Sequence, residues 1–378
     1  MNITIFGAGR IGHLLTIRFA NKGAKVNVLT QNRYLIDKFE KKNELWRVYN
    51  HKGEVICGGK PELVTSDPRI ALENSDIILL TAPSNSHSKL IKLIKPYLPR
   101  KRKIYIGAMP GCGGFDWRCR NLIGKDNKAI IWGFKDVSHI ASNLVHGDSV
   151  LEGGAKSKLF IAMEDGTSED DSKCLLERLN CLFDSSVELL SSFMEITLTP
   201  GNALMHPPVL YALSGVDGDY TDNKIYPGLE WWSDISKEAA ELIEACDTEN
   251  QAIKNEVESV IKLNLSSVCS LSQELKDAYG SMIKNSSSMY NILRSNKAYE
   301  GIKFPSIEDK GILIPDPASR VFFEDIEIGL AVLIALGRTL GVNTPNLNKI
   351  HSWGVAWHKD IRDLTTQIIP NDWMENYK

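Results

Sequence analysis

Little net charge and no long apolar run mark this chain, and each absence excludes a class of function. With 44 basic against 47 acidic residues among 378, and a formal net charge of -3, it has no basic excess of the kind that nucleic acid or an anionic membrane attracts. Neither partner is expected. The longest apolar stretch, residues 326–336, is interrupted by Glu327 and Gly329 and is far shorter than the roughly 20 residues a membrane-crossing helix needs. It predicts a core helix instead. The seven cysteines, Cys57, Cys112, Cys119, Cys174, Cys181, Cys246 and Cys269, are scattered, with no pair at the spacing of a zinc knuckle or a dithiol redox motif. No metal centre is expected, and reduced thiols in a cytosol are. The first strand is expected from the second residue, which leaves no room for a leader and fits a cytoplasmic protein. Repeats and low-complexity segments are missing too.

What remains is a composition of 43% hydrophobic and 24% charged residues, that of a globular protein whose length suits two domains, each with its own core. The first 195 residues alternate between strand and helix patterns. Short apolar runs at 2–6, 25–29, 76–81, 103–107, 129–132 and 158–162 read as buried strands of a mostly parallel sheet, and 177–183 reads as helix. From Gly201 onward helical periodicity takes over, with apolar residues at Leu242, Ile243, Ile253, Val257, Val260 and Ile261, and again from Ile326 to Leu340. Residues 1–195 are therefore expected to form an α/β domain and 196–378 an all-α domain.

The first strand runs directly into Gly7-Ala8-Gly9-Arg10-Ile11-Gly12, and Ile11, Leu14, Leu15 and Phe19 follow at helical spacing. In that strand-turn-helix context the glycines carry a mechanism: a tight turn at Gly7, close approach of backbone to a pyrophosphate at Gly9, and helix packed on strand at Gly12. The helix N-terminus then receives the phosphates. An acid at the end of the second strand would hold the ribose hydroxyl of NAD(H), and there is none. Thr30-Gln31-Asn32-Arg33 stands there, and an arginine can pair with a 2′-phosphate. Thr30, Asn32 and Arg33 thus favour NADP(H) over NAD(H), although an arginine opening a solvent-facing helix would look the same. Pro83 and Pro110 lie in loops expected at the carboxyl ends of strands, where ligands of such sheets bind. Pro83 is assigned to the cofactor and Pro110 to the substrate. His139 and His146, seven apart with no acid or cysteine at ligand spacing, read as polar loop residues, and Trp231-Trp232 as core at the head of a helix.

Where the two patterns meet stands Thr199-Pro200-Gly201-Asn202-Ala203-Leu204-Met205-His206-Pro207-Pro208. Its Asn-x-x-x-His-Pro segment, together with Asn296-Lys297-Ala298-Tyr299-Glu300-Gly301, Arg320-Val321-Phe322-Phe323-Glu324-Asp325, Gly337-Arg338 and Val342-Asn343-Thr344-Pro345, resembles the opine dehydrogenases. These join a Rossmann-type dinucleotide-binding domain to a helical substrate-binding domain. The resemblance runs from Met1 to about Ile350 and departs from the family pattern at Val321, where a tyrosine is usual.

The resemblance implies NAD(P)H-dependent reductive condensation of an amino acid's amine with an α-keto acid, and it makes His206 the catalytic acid/base. Asp325 is then expected on the other ring nitrogen, fixing the tautomer. Arg320 would hold a substrate carboxylate, its five-residue separation from Asp325 turning it about 140° away on an α-helix. Asn202, one turn before His206, would hold substrate or cofactor through its amide. Lys135, in Trp132-Gly133-Phe134-Lys135-Asp136, falls where octopine dehydrogenases carry a glutamate, which favours an acidic or neutral amino acid over arginine. A homodimer is compatible with all of this. Two other readings stand beside it: a simple 2-keto acid or ketopantoate-like reductase, and an NADP(H)-binding sensor without turnover.

Overall fold

Residues Asn2–Phe6 (β1) lead through the glycine turn into Arg10–Asn21 (α1), and Lys25–Leu29 (β2) then pairs parallel to β1. Next come Arg33–Lys41 (α2), Trp46–Tyr49 (β3), Val55–Gly59 (β4), Leu63–Thr65 (β5), Pro68–Leu72 (α3) and Ile77–Leu80 (β6). His87–Ile94 (α4), Ile104–Ala108 (β7), Phe115–Ile123 (α5), Ala129–Phe134 (β8), His139–Val145 (β9) and Ser149–Ala155 (β10) follow. Lys158–Met163 (β11), Glu169–Leu182 (α6), Ser186–Leu189 (β12) and Phe193–Thr197 (α7) complete the α/β part. The computed structural model describes residues 1–42, 44–125, 127–214 and 225–377, which form two units, Met1–Thr197 and Leu198–Lys378.

Eight strands of the first unit form one sheet in the order β12-β11-β8-β7-β6-β1-β2-β5, parallel at every pairing except β8 with β11. The inner strands are mostly apolar, as in a sheet covered on both faces, and all four residues of β6 are buried. The order reverses beside β1, which lies between β6 and β2. At such a switch point the loops after neighbouring strands diverge and leave a crevice for a ligand. This is a Rossmann-type domain.

A second sheet, β4-β3-β10-β9, was not legible in the sequence. β3 and β4 are short, and the register of β9 with β10 is broken twice, so no regular alternation survives to be read. The sheet packs on α1, where Trp46 stacks on His13 at 4.8 Å and the His13 Nε2 accepts the Gly147 N–H at 3.0 Å. His139 and His146 are accordingly not plain loop residues. His139 is buried on β9, and His146, in the turn that follows, meets His13 edge-on at 5.3 Å.

The second unit contains Gly201–Ser214 (α8), Lys237–Ile261 (α9), Leu271–Tyr279 (α10), Met289–Ser295 (α11), the hairpin Ser306–Asp309 (β13) with Ile312–Pro315 (β14), Ala331–Leu340 (α12) and Pro345–Trp357 (α13). Its helical character follows from the periodicity, and the hairpin is the addition. On α9, Ile243, Ile253, Val257 and Ile261 are buried as the spacing implied, while Val260 is exposed. The buried Glu249 carboxylate of α9 accepts the N–H groups of Asn346 and Leu347 at 2.8 and 2.9 Å. It thereby caps α13 and satisfies donors that a helix start leaves open. Val321–Leu330, read as the front of a core helix, is a π-helix. Its i→i+5 hydrogen bonding widens the turn, so the 140° argument for Arg320 and Asp325 does not apply. Gly329 is where it crosses α8: a Cβ there would lie 2.4 Å from the Ala203 Cβ.

Candidate active site

In the first unit, the glycine turn and the helix start after β1 are tightly interlocked and uncapped. Gly12 must be glycine because a Cβ would fall 2.0 Å from the Gly7 carbonyl oxygen, so turn and helix interlock there. Gly9 is exposed, with nothing within 4 Å of a Cβ position, and no side chain caps the N-terminus of α1. Its first N–H groups therefore face open space, with the dipole positive end behind them. Ala8 is buried, Ile11 half-buried and Arg10 exposed. After β2, the Thr30 hydroxyl accepts the Asn32 N–H at 3.2 Å, and the Asn32 side chain caps α2 by accepting the Leu35 N–H at 3.2 Å. Arg33, the first residue of α2, is exposed. Pro83 and Pro110 are half-buried after β6 and β7. Lys135 directly follows β8 and is half-buried, its N–H donating to the Phe160 carbonyl at 2.9 Å.

His87, at the end of the Pro83 loop, hydrogen-bonds through Nε2 to the Ala82 carbonyl at 2.9 Å. Burial, reinforced by Arg118, pushes its imidazolium down to about 3. It is a neutral strut under the loop.

In the second unit, α8 is buried along most of its length, and Asn202 and His206 are among its open positions, one turn apart. His206 Nδ1 lies 2.9 Å from Asp325 Oδ2, with 25% of the histidine side chain and 13% of the aspartate exposed. Among the described residues Nε2 has no hydrogen-bond partner. Asp325 reaches His206 because the π-helix approaches α8 through Gly329 and Ala203. Arg320 is turned to its neighbour Glu324, whose two carboxylate oxygens accept from Nε and from Nη2, the latter at 2.9 Å. Its side chain is 72% exposed.

The Octopine_DH model, described as NAD/NADP octopine/nopaline dehydrogenase, alpha-helical domain, matches residues 189–358, and the ketopantoate reductase PanE/ApbA model matches residues 3–106. An uncharacterised protein of Sinorhizobium fredii, y4xO, is 41% identical over 99% of this chain and all of its own. Octopine dehydrogenase of Mizuhopecten yessoensis is 26% identical, over 93% of this chain and 89% of its own. The chain belongs to the opine dehydrogenase family.

That family is one of oxidoreductases, and the fold agrees. A solved structure of octopine dehydrogenase, described with NADH and L-arginine, superposes with a TM-score of 0.84 at 23% identity, covering all of this chain and 95% of that one. What the sequence reading missed is the surroundings of His206. Trp231 and Trp232, 6% and 3% exposed, lie in a turn ahead of α9 instead of heading a helix. Their rings pack against the imidazole, with centroids 5.1 and 5.7 Å away. A tryptophan pair reads as core in any sequence, and about 25 residues separate it from His206, so only folding reveals the contact.

Proposed function

We propose that this protein is an opine dehydrogenase that joins the amine of an amino acid to an α-keto acid such as pyruvate, giving an N-(carboxyalkyl) amino acid. The observation carrying this reading is the 2.9 Å contact between His206 Nδ1 and Asp325, with no partner on Nε2 among the described residues. When the amine adds to the keto carbonyl, a hydroxyl must leave as water before the imine can be reduced. An imidazolium, near neutral pH, is suited to give that proton. Asp325 holds the ring in the tautomer with Nδ1–H toward the carboxylate and stabilises the cation.

The glycine turn, the uncapped start of α1 and the open backbone at Gly9 fit a dinucleotide pyrophosphate. A nicotinamide dinucleotide supplies the hydride when bound. Gly7 to Gly12 would hold its phosphates and Thr30 and Asn32 its ribose. Exposed Arg33 favours NADP(H), since a guanidinium pairs with a 2′-phosphate, with NAD(H) as the alternative. Asn202, beside His206 on α8, would hold substrate through its amide. Arg320 would hold the keto acid carboxylate, exchanging Glu324 for it. Lys135 in place of a glutamate favours a donor with an acidic or neutral side chain.

The test is nicotinamide absorbance with NADPH or NADH, offering keto acids alone, amino acids alone and both together. Oxidation only when both are present is expected. Oxidation with keto acid alone would identify a simple reductase, and tight cofactor binding without oxidation would identify a sensor.

A further inference from the structure

The rings around His206 form a shelf that the acid/base chemistry above does not use. Trp231 and Trp232 stack at 5.7 Å with 23° between their planes. His206 lies against both, its plane tilted 36° and 29° from theirs. The three centroid separations are nearly equal, so the imidazole lies against both of the two near-parallel indoles. An indole face is electron-rich, and a cation within about 6 Å of the centroid is attracted to it.

The shelf is held from behind. The backbone N–H of Trp231 donates to the Ile302 carbonyl at 2.9 Å, and Phe304 closes on its ring at 4.7 Å. Tyr299 stacks on Trp232 at 5.4 Å and is backed by Tyr279 at 5.0 Å. The Glu230 carboxylate ties the segment to residues 301–303 by accepting the Gly301 N–H at 3.0 Å and pairing with Lys303 at 2.8 Å. Tyr299 and Gly301 both belong to the Asn-x-x-Tyr-x-Gly loop, so that loop supports both indoles.

We infer that Trp231 and Trp232 are positioning residues for His206, fixing its ring plane from the side that Asp325 does not reach and stabilising the positive charge it carries when protonated. Asp325 holds the ring edge through Nδ1, and the indoles hold its face. Together they leave Nε2 as the one polar atom of the ring still to be used. This inference rests on the reading of His206 as the acid/base, and it can fail separately from that reading.

The test compares Trp232→Leu with Trp232→Phe in the full-length protein. Loss of one indole face should lower kcat about tenfold, the equivalent of a partly desolvated cation–π contact, with the KM for NADPH unchanged. The phenylalanine variant should keep most of the rate, because its ring retains an electron-rich face. A leucine variant with wild-type kcat, or a phenylalanine variant as slow as the leucine one, overturns the inference. If the leucine variant does not fold, the contact is read in the wild type: an imidazole against the indoles alters their emission, so the tryptophan spectrum at a fixed pH should differ between wild type and His206→Asn. Identical spectra overturn the inference. Full turnover in His206→Ala would overturn the acid/base reading instead, and the emission difference would still report whether the rings touch.

Discussion

At the residue scale, a proton donor to a leaving hydroxyl needs one ring nitrogen anchored and the other open. Among the described residues His206 meets both conditions, with Asp325 at 2.9 Å on Nδ1. We expect His206→Ala to keep cofactor affinity and lose about 10²- to 10⁴-fold in turnover, the usual contribution of general acid–base catalysis. Asp325→Asn should be impaired as well, since an amide permits the wrong tautomer. Steady-state kinetics beside cofactor titration checks both, and a His206→Ala rate equal to wild type would remove the dyad assignment. Arg33 makes a separate claim. Its truncation to alanine should shrink the preference for NADPH over NADH, and an unchanged ratio of the two kcat/KM values would rule out contact with a 2′-phosphate. Histidine and aspartate could be named from the sequence because the family resemblance implies their roles, and Arg33 because a guanidinium can pair with a phosphate. The indoles could not, since a buried tryptophan has the same composition signature whether or not it touches a reactive ring.

At the element scale, each unit depends on one close backbone crossing. The π-helix carrying Asp325 meets α8, which carries His206, at Gly329 against Ala203, where an added Cβ would stand 2.4 Å from the alanine's. Gly329→Ala should therefore push the elements apart, lowering stability by about 1–3 kcal/mol, as overpacking does, and lowering turnover by separating the dyad. The double variant Ala203→Gly with Gly329→Ala removes the clash and should recover both. Thermal melts and kcat of the two proteins decide it; a double variant no better than the single one would place the defect elsewhere. In the first unit, Gly12→Ala would drive a Cβ to 2.0 Å from the Gly7 carbonyl. We expect it to weaken cofactor binding, measured by dinucleotide titration, because the turn must open for the helix to remain.

At the scale of the whole molecule, three buried histidines set a pH response. Burial holds His13 to about 4, with His146 lowering it further, and His139 to about 4, where burial outweighs the attraction of Glu152; His87 is held to about 3. In the unfolded chain each returns to about 6.5. Between those values the unfolded state binds more protons, so their contribution is fully present above about pH 6.5 and is lost as pH falls toward 4. The melting temperature should drop across that window. His13→Asn should flatten the drop while lowering the melting temperature at neutral pH, because the ring that stacks on Trp46 is lost. A slope unchanged by the substitution would show that other groups carry the response.

The sequence by itself determined the parallel sheet, the glycine turn and the helical second half, and its resemblance to a family pointed to His206 and Asp325 as partners. Strands of continuous apolar residues, a strand-turn-helix glycine pattern and ordered motifs all act locally or through residue type. Tertiary structure alone decided the second sheet on α1, the switch to π-helical hydrogen bonding before Asp325, the pairing of Arg320 with Glu324 and the two indoles beside His206. Each of these depends on what a residue meets after the chain has crossed itself, as when Gly329 admits Ala203, and no periodicity along the chain encodes such a meeting.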